Sequence, residues 1–213
     1  MKRPLAILLL ALALSPALQA QRIHAFVTSG VNLSQIEGDE LKGFRKLGYV
    51  GGIGALAAVS ANYQWGLSVE MLFSQRGSYN TTLNPYACDI ALNYVDIPLL
   101  VHYQDIRGGM LVGVGITYGR LVEQPHFRGL LQYPTPAFLP DTADFAFLND
   151  DLAVTADFRF TVWRKLQFNM RWQYSIIPIK RDWHFSEYRQ GRWVNWSNNC
   201  YSNSLSLRLI YQF

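Results

Sequence analysis

The sequence predicts an all-β protein, a closed eight-stranded antiparallel up-and-down transmembrane β-barrel. Three observations carry this. Apolar and polar residues alternate with period two over most of the chain, the breaks between alternating stretches are long and short in turn, and the apolar face of each stretch is free of charge. Successive side chains of a strand point to opposite faces, so such alternation describes ribbons with one oily and one polar side.

The 213 residues begin with Lys2 and Arg3, an apolar run from Leu5 to Leu14 and a small-residue exit, SPALQA, from Ser15 to Ala20. This is the pattern of a secretory signal peptide, cleaved after Ala20, with residues 21–213 forming the barrel. The apolar run is about half the length that a membrane-spanning helix needs, which is about 20 residues. Removing the leader leaves a formal charge of about +2, too small for a nucleic-acid footprint.

The strands follow in order. The first two, roughly 25–33 and 47–59, are rich in glycine and alanine and alternate weakly. The third runs from Leu67 to Phe73, with Ser68 and Glu70 on its second face. In the fourth, Val95, Ile97, Leu99, Val101 and Tyr103 alternate with Asp96, Pro98 and His102; Pro98 cannot donate to a ladder and is a candidate bulge. The fifth is Met110 to Tyr118. The sixth sets Val154, Ala156, Phe158, Phe160 and Val162 against Thr155, Asp157, Arg159 and Thr161. The seventh, LQFNMRWQYSI from Leu166 to Ile176, is the cleanest, and the eighth ends in Leu205, Leu207, Leu209, Tyr211 and Phe213.

Breaks at 35–46, 77–89, 123–150 and 180–200 are long, whereas those at 60–64, 104–107 and 164–165 are short. Long loops on one rim and tight turns on the other characterise outer-membrane barrels. A soluble sandwich also alternates, but its water-facing side would scatter lysine along the strands. Here Lys42, Lys46, Lys165 and Lys180 all fall in loops, turns or strand ends. The polar face instead carries glycines, hydroxyls and charges of both signs: Glu70, Arg76, Asp96, Asp157, Arg159, Arg171 and Arg208. An eight-stranded lumen is just wide enough to be filled by side chains, so these charges are expected to pair inside and leave no open pore.

Aromatic residues supply two girdles. Trp65, Tyr103, Tyr211 and Phe213 fall at the short-turn end of the apolar face, and Tyr49, Phe73, Tyr118 and Tyr174 toward the other end. Tyr211 and Phe213 also fit the terminal aromatic strand by which such barrels are recognised for insertion. The partners implied are outer-membrane lipid, the barrel-assembly machinery during insertion and an extracellular or periplasmic protein, with no nucleic acid; the barrel is expected to be a monomer in the cell outer membrane.

Residues that carry chemistry are few. His24, His102, His126 and His184 show no metal-ligand spacing, and no nucleophile elbow or phosphate loop occurs, so no catalytic set, metal or cofactor is expected. His184 with Asp182 and Ser186 is the nearest approach to an acyl-transfer set. The stretch from Lys180 to Cys200 carries Trp183, Tyr188, Arg189, Trp193 and Trp196; it suits a binding surface, or aromatic packing that stiffens an extended hairpin. The packing alternative is favoured. Cys88 and Cys200 both fall at the long-loop rim and are expected to form a disulfide if the loops lean across the mouth.

The stretch Ser29 to Ala55 resembles the start of the PorT-like outer-membrane β-barrel family of Bacteroidetes, with Gly30, Asn32, Ser34, Gly43, Phe44, Lys46, Gly48 and Gly52 in the motif positions. YVDIPLLVHY, Tyr94 to Tyr103, resembles a second family strand through Asp96, Ile97 and Pro98. The resemblance implies an eight-stranded barrel of OmpX or OmpA-like architecture and little chemistry. The family's founding member is linked to secretion of exported proteases, so an accessory role in protein secretion is one alternative. A lipid A-modifying enzyme is another. Asp141 to Ala143 also resembles a short O-glycosylation signal.

Overall fold

The computed structural model describes residues 23–39, 43–60, 62–79, 88–105, 109–129, 146–189 and 192–213; side chains at 88, 125–129, 184–189 and 193–196 stand outside the description. The expected leader, residues 1–20, and Asp141 to Ala143 lie outside the described residues.

Nine strands form: β1 (Ile23–Glu37), β2 (Lys46–Ala58), β3 (Trp65–Tyr79), β4 (Cys88–Asp105), β5 (Met110–Gly129), β6 (Asp150–Trp163), β7 (Leu166–Ser175), β8 (Lys180–Arg189) and β9 (Arg192–Gln212). Eight of them, β1 to β7 and then β9, pair in succession, and β9 closes on β1, from Phe26 opposite Gln212 to Glu37 opposite Tyr201. All pairings are antiparallel. The ring is therefore the expected closed eight-stranded barrel. Backbone in contact with lipid needs every hydrogen bond satisfied, and closure removes both sheet edges. Even the Phe213 N–H is used, donating to Ala25 O at 2.9 Å.

Several strands outrun their expected bounds on the long-loop side. β4 begins at Cys88, β5 continues to Gly129, and the long break 180–200 is the extended hairpin favoured there, β8 with the first half of β9. Pro98 makes no bulge: the β3–β4 ladder skips its neighbourhood but resumes in the same register, while the irregularities of β4 lie at Ala91 to Tyr94. Without a Pro98 N–H the β3–β4 ladder is interrupted at Glu70 and Met71, with no shift of register.

The burial pattern is inverted relative to a soluble domain. Val114 and Ile116 are 62% and 50% exposed on the outer surface, whereas Arg76, Arg159, Arg171 and Arg208 are 1–2% exposed inside. Girdle aromatics pair across strands: Trp65 packs on Tyr103 at one rim, and Tyr49 stacks on Phe73 at the other. Two glycines create the interior space. A Cβ at Gly113 would collide with the His102 imidazole, and one at Gly119 would lie 2.7 Å from Asp96 Oδ1 and 3.2 Å from Arg76 Nη2.

Candidate functional site: lumen and outer mouth

From the short-turn rim upward, β3, β6, β7 and β9 point Glu70, Asp157, Arg159, Arg171 and Arg208 to one level. Each strand contributes through the same alternation that puts its apolar residues in lipid. Glu70 Oε1 accepts from Arg159 Nη2 at 2.7 Å and Arg171 Nη2 at 2.8 Å, and Oε2 accepts from Arg208 Nη1 at 3.0 Å. Asp157 accepts from Arg159 Nε at 2.6 Å and from Arg171 Nε at 2.7 Å. Asn169 donates to Asp157 at 2.9 Å and accepts from Arg208 Nε at 2.7 Å. Three guanidiniums thus surround two carboxylates, with the cost of desolvating each charge offset by several charge-assisted bonds. Below this tier, Ser68 Oγ lies 2.7 Å from His102 Nε2.

The expected single network is in fact two. Arg76 stands apart, bonding Asp96 Oδ1 at 2.5 Å and Asp151 Oδ2 at 2.9 Å while lying 4.4 Å over the Tyr94 ring. Between the tiers lies a neutral band in which Thr117 bonds Thr155 at 2.7 Å and Asn32 bonds Ser74 and Ser206 at 3.0 and 2.6 Å. Asp151 is absent from the charge set expected from the sequence: the long break ends at residue 150, but the alternation is followed only from Val154. Carrying the inward parity of Asp157 and Thr155 back two further steps finds it.

The mouth above is apolar. Ile36, Ile90, Leu92, Tyr94, Leu121, Phe147, Ile179 and Cys200 form one buried cluster, with Trp183 packed against it. Phe147 enters from the segment before β6 and is held by Gln124, whose Nε2 donates to Phe147 O at 3.2 Å and whose Oε1 accepts from Phe147 N at 3.1 Å. Its ring meets Trp183 edge-on at 5.9 Å, and the buried Lys180 Nζ lies 5.1 Å from the Trp183 ring. Of the aromatic surface expected in this stretch, Trp183 is packed inward. The side chains of Tyr188, Arg189, Trp193 and Trp196 lie outside the described residues, as do those of His184 and Ser186.

The expected Cys88–Cys200 bridge is not formed. Cys200 is a free thiol buried in the mouth cluster, and its burial pushes the thiol up to about 12. The physical reason is the ring order: β4 and β9 stand four places apart whichever way round one counts, on opposite walls. Among the described residues no group of three or more histidine, cysteine or acidic side chains is placed to hold a metal ion.

A closed eight-stranded ring with lipid-compatible side chains outside and paired charges inside defines an outer-membrane β-barrel protein. The chain belongs to the outer membrane protein beta-barrel domain family, whose model matches residues 5–213. Its place is accordingly the cell outer membrane, with the tight turns toward the periplasm. No curated protein matches the sequence. Among solved structures the chain is similar to Ail, the attachment invasion locus protein of Yersinia pestis, at 13% identity over 90% of this chain and 99% of that one, with a TM-score of 0.45. It is also similar to Neisserial surface protein A at 11% identity over 89% and 97%, TM-score 0.48, and to OprG of Pseudomonas aeruginosa at 12% over 91% and 95%, TM-score 0.39.

Proposed function

We propose that this protein is a non-conducting, non-enzymatic barrel that serves as a membrane-anchored scaffold and acts through its outer segments, chiefly the β8–β9 hairpin. The observation that carries the reading is the filling of the lumen at successive levels, by the lower arginine tier, the Arg76 tier and the Phe147 cluster. A chain that seals its own interior is left with its outer surface for contacts. The hairpin is the segment that leaves the ring: among the described residues β8 pairs with β9 alone.

Two measurements test this. Reconstituted into planar bilayers, the protein should give no stepwise conductance, and replacing residues 181–199 by a short turn should leave the barrel folded while abolishing co-purification of its partner from native membranes. Stepwise conductance, or a set of co-purifying proteins unchanged by the replacement, overturns the reading. A second reading, an accessory of a Bacteroidetes-type protein secretion system, is supported by the PorT-like residues Gly30, Asn32, Asp96, Ile97 and Pro98; recovery of export components with the purified barrel would favour it. A lipid A mass spectrum unchanged by deletion of the gene is expected if no lipid-modifying activity is present.

A further inference from the structure

We propose that the Arg76 tier is an occluded binding site for one hard monovalent cation of the sodium type, held with water between the neutral band below and the Phe147 cluster above. The first observation is charge. Among the described residues, Arg76 is the cation that bonds two buried carboxylates, Asp96 and Asp151, 2% and 0% exposed. The surplus arginine of the lower tier does not correct this, because Glu70 precedes Arg76, and Asp151 precedes Asp157, by six residues of strand, roughly 20 Å of chain. Each tier must therefore be balanced locally, and the upper one is short of a positive charge.

The second observation is independent of charge. Fully buried oxygen atoms here have no protein partner: Asp151 Oδ1, Tyr94 Oη and Ser175 Oγ. Arg76 Nε is likewise unpartnered. Buried polar groups are almost always satisfied, and a group of orphans in one place marks something small and polar that completes them. Three orphan oxygens, one anionic, suit a hard cation; the orphan Arg76 N–H suits a water oxygen in its shell.

A glycine lets the groups of this tier pack closely. Gly119 faces this tier on β5, opposite Asp96 on β4 and Asp151 on β6, and any side chain there would meet Asp96, Arg76 and Tyr94 together. With only two carboxylates the site lacks the ligand charge that a divalent ion demands. The apolar Phe147 cluster above it shuts off the outer mouth, so the ion is trapped and its exchange is slow.

The test uses the mature full-length protein folded in detergent and freed of sodium by refolding in tetramethylammonium chloride. At equal ionic strength, refolding in sodium chloride should raise the unfolding midpoint by about 3–5 °C, because a ligand bound only by the folded state stabilises it. Asp151→Asn should lose the whole increment, and the uncharged changes Tyr94→Phe and Ser175→Ala should lose part of it. The latter two keep the test decisive if Asp151→Asn fails to fold. Equal midpoints in both salts overturn the proposal. An increment retained in Tyr94→Phe and Ser175→Ala alike overturns it as well.

Discussion

Below the ring of Tyr49 and Tyr118 and above it, the same strands follow opposite rules. In the lower part of β4, Val95, Ile97 and Leu99 face out and Asp96 faces in; four residues higher, Ile90 and Leu92 face in while Asp89 and Asn93 face out. β1 and β5 behave alike, with Ile36 and Leu121 turned inward above the girdle and Val27 and Val114 outward below it. The strand direction and side-chain parity do not change. What changes is the solvent outside, acyl chains below and water above, so the apolar face that must be hidden moves from one side of the ribbon to the other. The molecule is a membrane barrel whose upper end hides an apolar cluster inside, as a protein in water does.

The largest effect that separates the two parts should come from the lower interior. Glu70→Gln leaves three buried arginines with one carboxylate, and should lower unfolding stability in lipid vesicles by about 3–5 kcal/mol. Next is a matched pair on one strand. Val114→Arg, facing lipid, should cost about 2–4 kcal/mol in the same measurement, whereas Val122→Arg, outward on β5 but above the girdle, should cost less than about 0.5 kcal/mol. Equal costs would abolish the distinction drawn here.

Phe147→Ala should act locally. The cluster at the mouth should loosen and the β8–β9 hairpin become sensitive to protease, while the lower barrel keeps its resistance to heat in detergent. The smallest signal is the thiol. In a Cys88→Ser background, Cys200 raised to about 12 from the usual value of about 8.5 should alkylate at pH 8 at least about 10³-fold more slowly than in the unfolded chain. The sign for stability follows: the folded form holds its proton more tightly, so stability is level below about pH 8.5 and falls as pH rises from there toward 12.

Alternation against a lipid solvent is a strong signal, which is why the staves through Phe168, Val154 and Leu207, and the inward set Glu70, Asp157, Arg171 and Arg208, were legible in the sequence. The upper part was not. There the apolar phase slips by one residue, as between Leu92 and Val95, and a scan for continuous alternation ends the strand at the slip. Asp151 is missed for another reason, since its parity continues unbroken through Ala153 and Thr155 but the charge beside a long break is not counted with the lumen; the extended hairpin favoured for 180–200 does form, though its strands are hard to bound because its aromatics alternate with charge on both sides. The disulfide fails differently: the shared rim and the opposite walls are both legible, but the bridge needs the mouth to be spanned, and Cys200 instead turns into the apolar cluster as a free thiol.

The lower arginine tier has a bearing on how the cylinder is put together. Arg208, which bonds Glu70 and Asp157, arrives on the final stave, while Glu70 stands on the third and Asp157 on the sixth. Until that stave docks, the two acids lack their third guanidinium and the ring its last seam. Arg208 is thus a keystone, and zipping the edges together and balancing the interior become one event.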